Sequence, residues 1–124
     1  MDLLNPETVA KPGPGYSQGV RATGTVFVAG QVAIDAAGAI VGKDDIAAQT
    51  RQTLENVRLV LAAGGMDLTH VVSTTAYLTS FAHYKVFCAV WCEVFGDHRP
   101  ARASVKADLV HPDLLVEIQA IAVR

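Results

Sequence analysis

The chain has 124 residues, 51% of them hydrophobic and 18% charged, with a formal charge of −2 at pH 7. That length suits one domain (residues 1–124) with its own core, and the apolar balance argues against disorder. The slightly acidic charge gives no electrostatic reason to expect nucleic acid; no apolar run is long enough to cross a membrane, and MDLLNPETVAKPGPG is not a basic start followed by an apolar stretch, so a cytoplasmic location is expected.

Residues 1–15 hold three of the five prolines and read as an irregular leader. In "GVRATGTVFVAGQVAID", Thr25 to Val28 is rich in β-formers, Gly30 interrupts, and Val32 and Ile34 alternate. That pattern predicts a strand with a break or bulge at Gly30. "DAAG" at 35–38 is a turn, and Ala39 to Val41 is a candidate short strand. Asp44 or Asp45 is placed to cap a helix in which Ile46, Thr50, Leu54, Val57 and Leu61 recur every three or four residues. Gly64 and Gly65 end it.

His70 to Thr79 is β-branched and predicts another strand; Phe81 to Phe95 carries Tyr84, Phe87, Val90, Trp91 and Val94 at helical spacing and stops at Gly96. A strand containing Arg102 follows, then a loop with His111-Pro112-Asp113, then a last run from Leu114 to Val123. The order is β-β-(β)-α-β-α-β-β, an α+β pattern. Two helices cover one face of such a sheet. In a chain with so little charge, the simplest cover for the other face is a second copy, so a homo-oligomer is expected.

No GxGxxG, Walker or GxSxG motif is present. The histidines at 70, 83, 98 and 111 lack metal-ligand spacing and read as solvated. Cys88 and Cys92 lie four apart with nothing placed to complete a metal site, and read as small hydrophobes on or near a buried helix face. Phe87 and Trp91 read as core.

Two charges fall inside strand patterns. Arg102 in "RPARASV" alternates with Ser104 and Lys106, and Glu117 in "LLVEIQAIAV" with Leu115 and Gln119. If the two strands pair as an antiparallel hairpin, Arg102 and Glu117 project from one side. They then form either a cross-strand ion pair or an anion-binding guanidinium beside a carboxylate that handles a proton or water. Tyr16, after "PGPG", is either a packing residue with a wet hydroxyl or a lid over a pocket.

"GPGYSQGVRATGTVFVAGQVAID", "IAAQTRQTLENVRLVLAAGG", "VVSTTAYLTSF", "RPARASV" and "LLVEIQAIAV" occur in the order found in the reactive intermediate deaminase family (RidA/YjgF/YER057c-type), which the chain resembles from Tyr16 to Val123. The resemblance implies a chorismate-mutase-like α+β fold with a mixed sheet of about six strands and two helices on one face. It also implies a homotrimer with pockets at subunit interfaces, without metal or cofactor. The implied activity is hydrolysis of enamines and 2-imino acids to keto acids and ammonia. On this sequence Arg102 matches the arginine that grips the substrate carboxylate, Glu117 the acid near the attacking water, and Tyr16 the pocket tyrosine. Gly30 and Gln31 match a pocket-lining strand. Ala29, Cys88 and Ser104 belong to the same implied lining and depart from the best-known pattern, which points to a neighbouring subfamily.

Overall fold

In the computed structural model, which describes residues 1–124, one six-stranded sheet carries two helices on one face. The elements in chain order are β1 (Asp2–Leu4), β2 (Gly19–Ala22), β3 (Thr25–Val32), α1 (Ile46–Ala63), β4 (Val71–Leu78), α2 (Tyr84–Phe95), β5 (Ala101–Lys106) and β6 (Val116–Val123). Across the sheet they run β1-β2-β3-β6-β4-β5. No helix is long and apolar enough to cross a membrane.

Local chemistry accounts for most boundaries. The Asp45 carboxylate accepts from the Ala48 amide 3.0 Å away and caps α1. Gly64 closes that helix, and Gly65 continues with φ +76°, which a β-carbon would disfavour. Leu54, Val57, Val60 and Leu61 of α1 pack with Phe87, Trp91 and Phe95 of α2 and with the inward rows of β3 and β6. The inward row of β6, Val116, Ile118, Ala120 and Ala122, alternates with Glu117, Gln119, Ile121 and Val123 on the other face. Fully burying Val, Leu or Phe side chains stabilises the fold by about 1.5–3 kcal/mol each before entropy is subtracted.

Three expectations change. The leader is not wholly irregular: Asp2–Leu4 pairs antiparallel with β2, and Leu4 is buried against the core. Ala39 to Val41 forms no strand, only a single bridge between Ile34 and Ile40. The third change decides where the chemistry lies. β5 pairs with β4 and runs parallel to it, while β6 sits between β3 and β4. A hairpin between β5 and β6 therefore does not exist. A parallel neighbour requires a crossover, and α2 supplies it.

The sheet face away from the helices is nearly uncharged. Leu3, Val20, Phe27, Ile121, Val123, Tyr77 and Val105 lie on it, and Phe27 and Val123 are 46% and 44% exposed. Glu117 is the one carboxylate among its strand residues, with no Lys or Arg beside it.

Candidate functional site

The register places Arg102 and Glu117 on opposite faces of the sheet. Arg102 pairs with Thr74, Ser104 with Ala76 and Lys106 with Leu78. Those three β4 residues are buried under the helices, so Arg102 and Ser104 face α2. Glu117 pairs with Tyr77 and with Val32 on the open face. One strand and three positions of offset separate the two residues, roughly 14 Å between α-carbons at ordinary strand spacings. The predicted same-face pair does not form: β4 lies between the two strands, and the odd offset along it puts the two residues on opposite faces.

Arg102 is held by α2. Its Nη2 donates to the Tyr84 hydroxyl at 3.1 Å and lies 3.4 Å from Cys88 Sγ. Its Cζ is 5.8, 5.2 and 4.8 Å from the ring centroids of Tyr84, Phe87 and Trp91. Aromatic faces attract a cation, and several rings around a half-buried guanidinium offset part of its lost hydration. No carboxylate pairs with it: the ion pairs are Arg21–Asp2, Lys43–Asp113, Arg51–Glu93, Arg58–Glu55 and His70–Asp67. Beside it, Phe81, Tyr84 and Ser104 line an open groove of about 380 Å³.

Glu117 lies against a bulge. The β3–β6 register shifts between Val28 and Gln31, so an extra residue is accommodated at Ala29-Gly30. The carboxylate lies against Gly30, where an added β-carbon would stand 2.5 Å from Oε2. Glu117 has neither ion pair nor hydrogen bond to its carboxylate, and burial pushes the carboxyl above its usual range.

Behind the bulge, Gln31 is buried and donates through Nε2 to Gln18 Oε1 (2.9 Å) and the Ala29 carbonyl (3.0 Å). Gln18 in turn donates to the Ala10 carbonyl, and its amide donates to Asn5 Oδ1, both at 2.9 Å. These bonds tie the leader to the bulge. Tyr16 is 54% exposed and shares a cleft of about 80 Å³ with Gln18, Gly30, Gln31 and Asn56. Ala29 offers its backbone and a methyl, with no side-chain donor.

Each chain thus carries two separate groups: Arg102, Cys88 and Ser104 under α2, and, at the bulge, Glu117 against Gly30 on the open face with Gln31 and Tyr16 in the cleft on its other side. Sequence reasoning missed Tyr84 as a polar partner of Arg102. Its signal was the stripe Tyr84, Phe87, Cys88, Trp91 at helical spacing, which reads equally well as core. Cys88 does pack against the core, but Cys92 is exposed, and both are free thiols. His98 is not simply solvated: it is half-buried, with Nε2 2.6 Å from the Val71 carbonyl.

Residues 7–124 match the family model described as Endoribonuclease L-PSP. Over 121 residues the chain is 38% identical to a RutC family protein of Pyrococcus horikoshii, covering 98% of this chain and 96% of that one. It is 34% identical to the 3-aminoacrylate deaminase RutC of Acinetobacter baylyi, again over 98% and 96%. The structure of the YjgF gene product of E. coli superposes with a TM-score of 0.92 at 29% identity, covering 100% of this chain and 99% of that one. The chain belongs to the RidA/YjgF family, whose members the Endoribonuclease L-PSP model describes.

Proposed function

We propose that the protein hydrolyses 2-imino acids and their enamine tautomers to keto acids and ammonia, at sites between copies of the chain in a homotrimer. The observation that carries this reading is the pair of unspent charges. Arg102 is a half-buried cation without a carboxylate, and Glu117 a half-buried carboxylate without a cation, on opposite faces of one sheet. Neither reaches the other within a chain. In the proposed trimer the nearly uncharged sheet face of one copy packs against the β5 edge of the next, which would bring the two clusters together and cover Phe27, Ile121 and Val123. A relative that carries the name 3-aminoacrylate deaminase supports the same chemistry.

In this mechanism the substrate carboxylate docks on Arg102, leaving the C=N carbon toward Glu117 of the neighbouring copy. Glu117 holds a water, whose oxygen bonds to that carbon. The substrate enters as the iminium, and one water proton passes to the carboxylate as the C–O bond forms, leaving a neutral carbinolamine. The carbinolamine then collapses: Glu117 returns its proton to the nitrogen, the C–N bond breaks as the C=O bond forms, and the hydroxyl proton passes to Glu117 and on to the departing ammonia, which leaves as ammonium. No metal or cofactor enters these steps. An iminium is already electrophilic, so positioning supplies much of the acceleration. The raised pKa of Glu117 makes it a stronger base than a solvated carboxylate.

A coupled assay tests this. An amino-acid oxidase generates imines from a panel of amino acids, and semicarbazone formation reports what escapes hydrolysis. Wild type should suppress semicarbazone while Arg102→Ala does not; equal suppression by both would remove the assignment. The methyl of Ala29, which gives the bulge no hydroxyl, favours one second reading, a small-carboxylate binder without turnover. Pyruvate binding with no ammonia released from any imine would establish it. The charge of −2 and a sheet face without Lys or Arg favour either small-acid reading over an RNA-directed one.

A further inference from the structure

We propose that Tyr84 is a second anchor for the substrate carboxylate, its phenolic O–H donating beside the Arg102 guanidinium. The inference rests on the reading of Arg102 as a carboxylate site and adds to it a residue on α2.

The hydrogen-bond inventory of the guanidinium leads to it. Arginine has five N–H donors, and both of its two-pronged edges use Nη2, one with Nη1 and one with Nε. Here Nη2 is engaged twice, by the Tyr84 oxygen at 3.1 Å and by Cys88 Sγ at 3.4 Å. Nη1 and Nε have no protein acceptor. A carboxylate approaching the fork in this geometry finds one free nitrogen on each edge and needs its second donor elsewhere.

The Tyr84 hydroxyl is that donor. Its oxygen accepts from Arg102, so its hydrogen points away from the guanidinium, and no protein atom accepts it. Accepting a bond from a cation polarises the O–H and strengthens its donation. The ring is 40% exposed and lines the groove with Phe81 and Ser104. Its orientation is set from below by Phe87, 6.3 Å away between ring centroids, and then by Trp91, 5.5 Å beyond. The packed rings therefore hold the Tyr84 hydroxyl at the groove, with the Arg102 guanidinium hydrogen-bonded beside it, before any ligand arrives, which lowers the ordering cost of binding.

This arrangement makes a clamp for a single anionic group. An N–H from a fixed cation meets one carboxylate oxygen, and a phenolic O–H meets the other. A carboxamide suits the clamp less well, because it carries no charge and its NH2 meets a hydroxyl placed to donate.

The test compares wild type, Tyr84→Phe and Arg102→Ala, with pyruvate as probe and pyruvamide as its uncharged control. Calorimetry reads binding, and the imine assay reads kinetics. Tyr84→Phe keeps the ring and the packing, so the fold is retained. The expected result is about tenfold weaker pyruvate binding in Tyr84→Phe, the worth of one bond to a charged group. The preference for pyruvate over pyruvamide should fall by the same factor, and the kinetic change should fall mainly on KM. Arg102→Ala should lose pyruvate binding altogether. Wild-type affinity in Tyr84→Phe alongside lost binding in Arg102→Ala would overturn the clamp and leave the Arg102 reading standing. Equal weakening for pyruvate and pyruvamide would also overturn it, since shape rather than donation would be responsible. Unchanged pyruvate binding in Arg102→Ala would overturn both.

Discussion

Arg102 and Glu117 project from opposite faces of one sheet, with β4 between their strands. A site that needs both is therefore completed by two chains. The expected consequence is complementation. Arg102→Ala and Glu117→Gln should each be inactive alone. In the proposed homotrimer, reassembly from an equal mixture should recover about a quarter of wild-type activity, because about one site in four then combines an intact Arg102 with an intact Glu117. Recovery is read in the semicarbazone assay after denaturing and refolding the mixture. A reassembled mixture as inactive as its parents would overturn the site shared between chains.

The hairpin expectation failed for a physical reason. Alternation along "RPARASV" and "LLVEIQAIAV" identifies strands and the faces of each, but not which neighbours they take. The eight-residue β6 finds apolar partners on both sides, β3 and β4, and so becomes an inner strand. β5, with its charged or polar inward row Arg102, Ser104 and Lys106, remains at the edge. The helices, the bulge near Gly30 and the Gly64 stop were legible because each is a local signal. The polar role of Tyr84 was not, because it exists only once the parallel pairing carries Arg102 beneath α2.

Gly30 is expected to serve Glu117 rather than the backbone. Its conformation is one that alanine adopts freely, yet an added β-carbon would stand 2.5 Å from the carboxylate oxygen. The end of a flexible side chain yields easily, so Gly30→Ala should fold with a stability change within about 1 kcal/mol. Moving the carboxylate by an ångström should still lower kcat about a hundredfold. Gly19→Ala is the contrast, since its β-carbon would stand 2.5 Å from Val60 Cγ1 in the core. It should lose about 1–3 kcal/mol in urea melts. If Gly30→Ala retains full kcat, Glu117 is not held where the mechanism needs it.

The raised pKa of Glu117 fixes the direction of two pH effects. Its base form is the ionised one, so kcat/KM should fall as pH drops through the raised value, with the acid limb centred above 4.5. Burial also disfavours the charged form in the folded protein. Its contribution to stability is then greatest below pH 4.5 and is lost as pH rises through the folded value. Glu117→Gln should flatten that part of the stability profile in urea melts between pH 4 and pH 8. A wild-type profile that gains stability over this window because of Glu117 would contradict the sign.

Gln49 should matter for stability without touching either cluster. It is fully buried on α1, donates to the carbonyls of Gly42 and Asp113 at 3.1 and 2.8 Å, and accepts from the Leu115 amide at 2.8 Å. One side chain thus satisfies backbone groups in the loop before α1 and in the loop leading to β6. Gln49→Leu preserves much of the volume and leaves those groups without partners. Each buried unsatisfied group costs about 1–3 kcal/mol, so a total near 3 kcal/mol is expected after relaxation and rehydration. In a domain of this size that corresponds to a fall in Tm of about 10 °C. The measurement is a thermal melt at fixed protein concentration, since assembly raises apparent stability. A shift below about 2 °C would mean that water reaches the Gly42 and Asp113 carbonyls and that the two loops are not joined through Gln49.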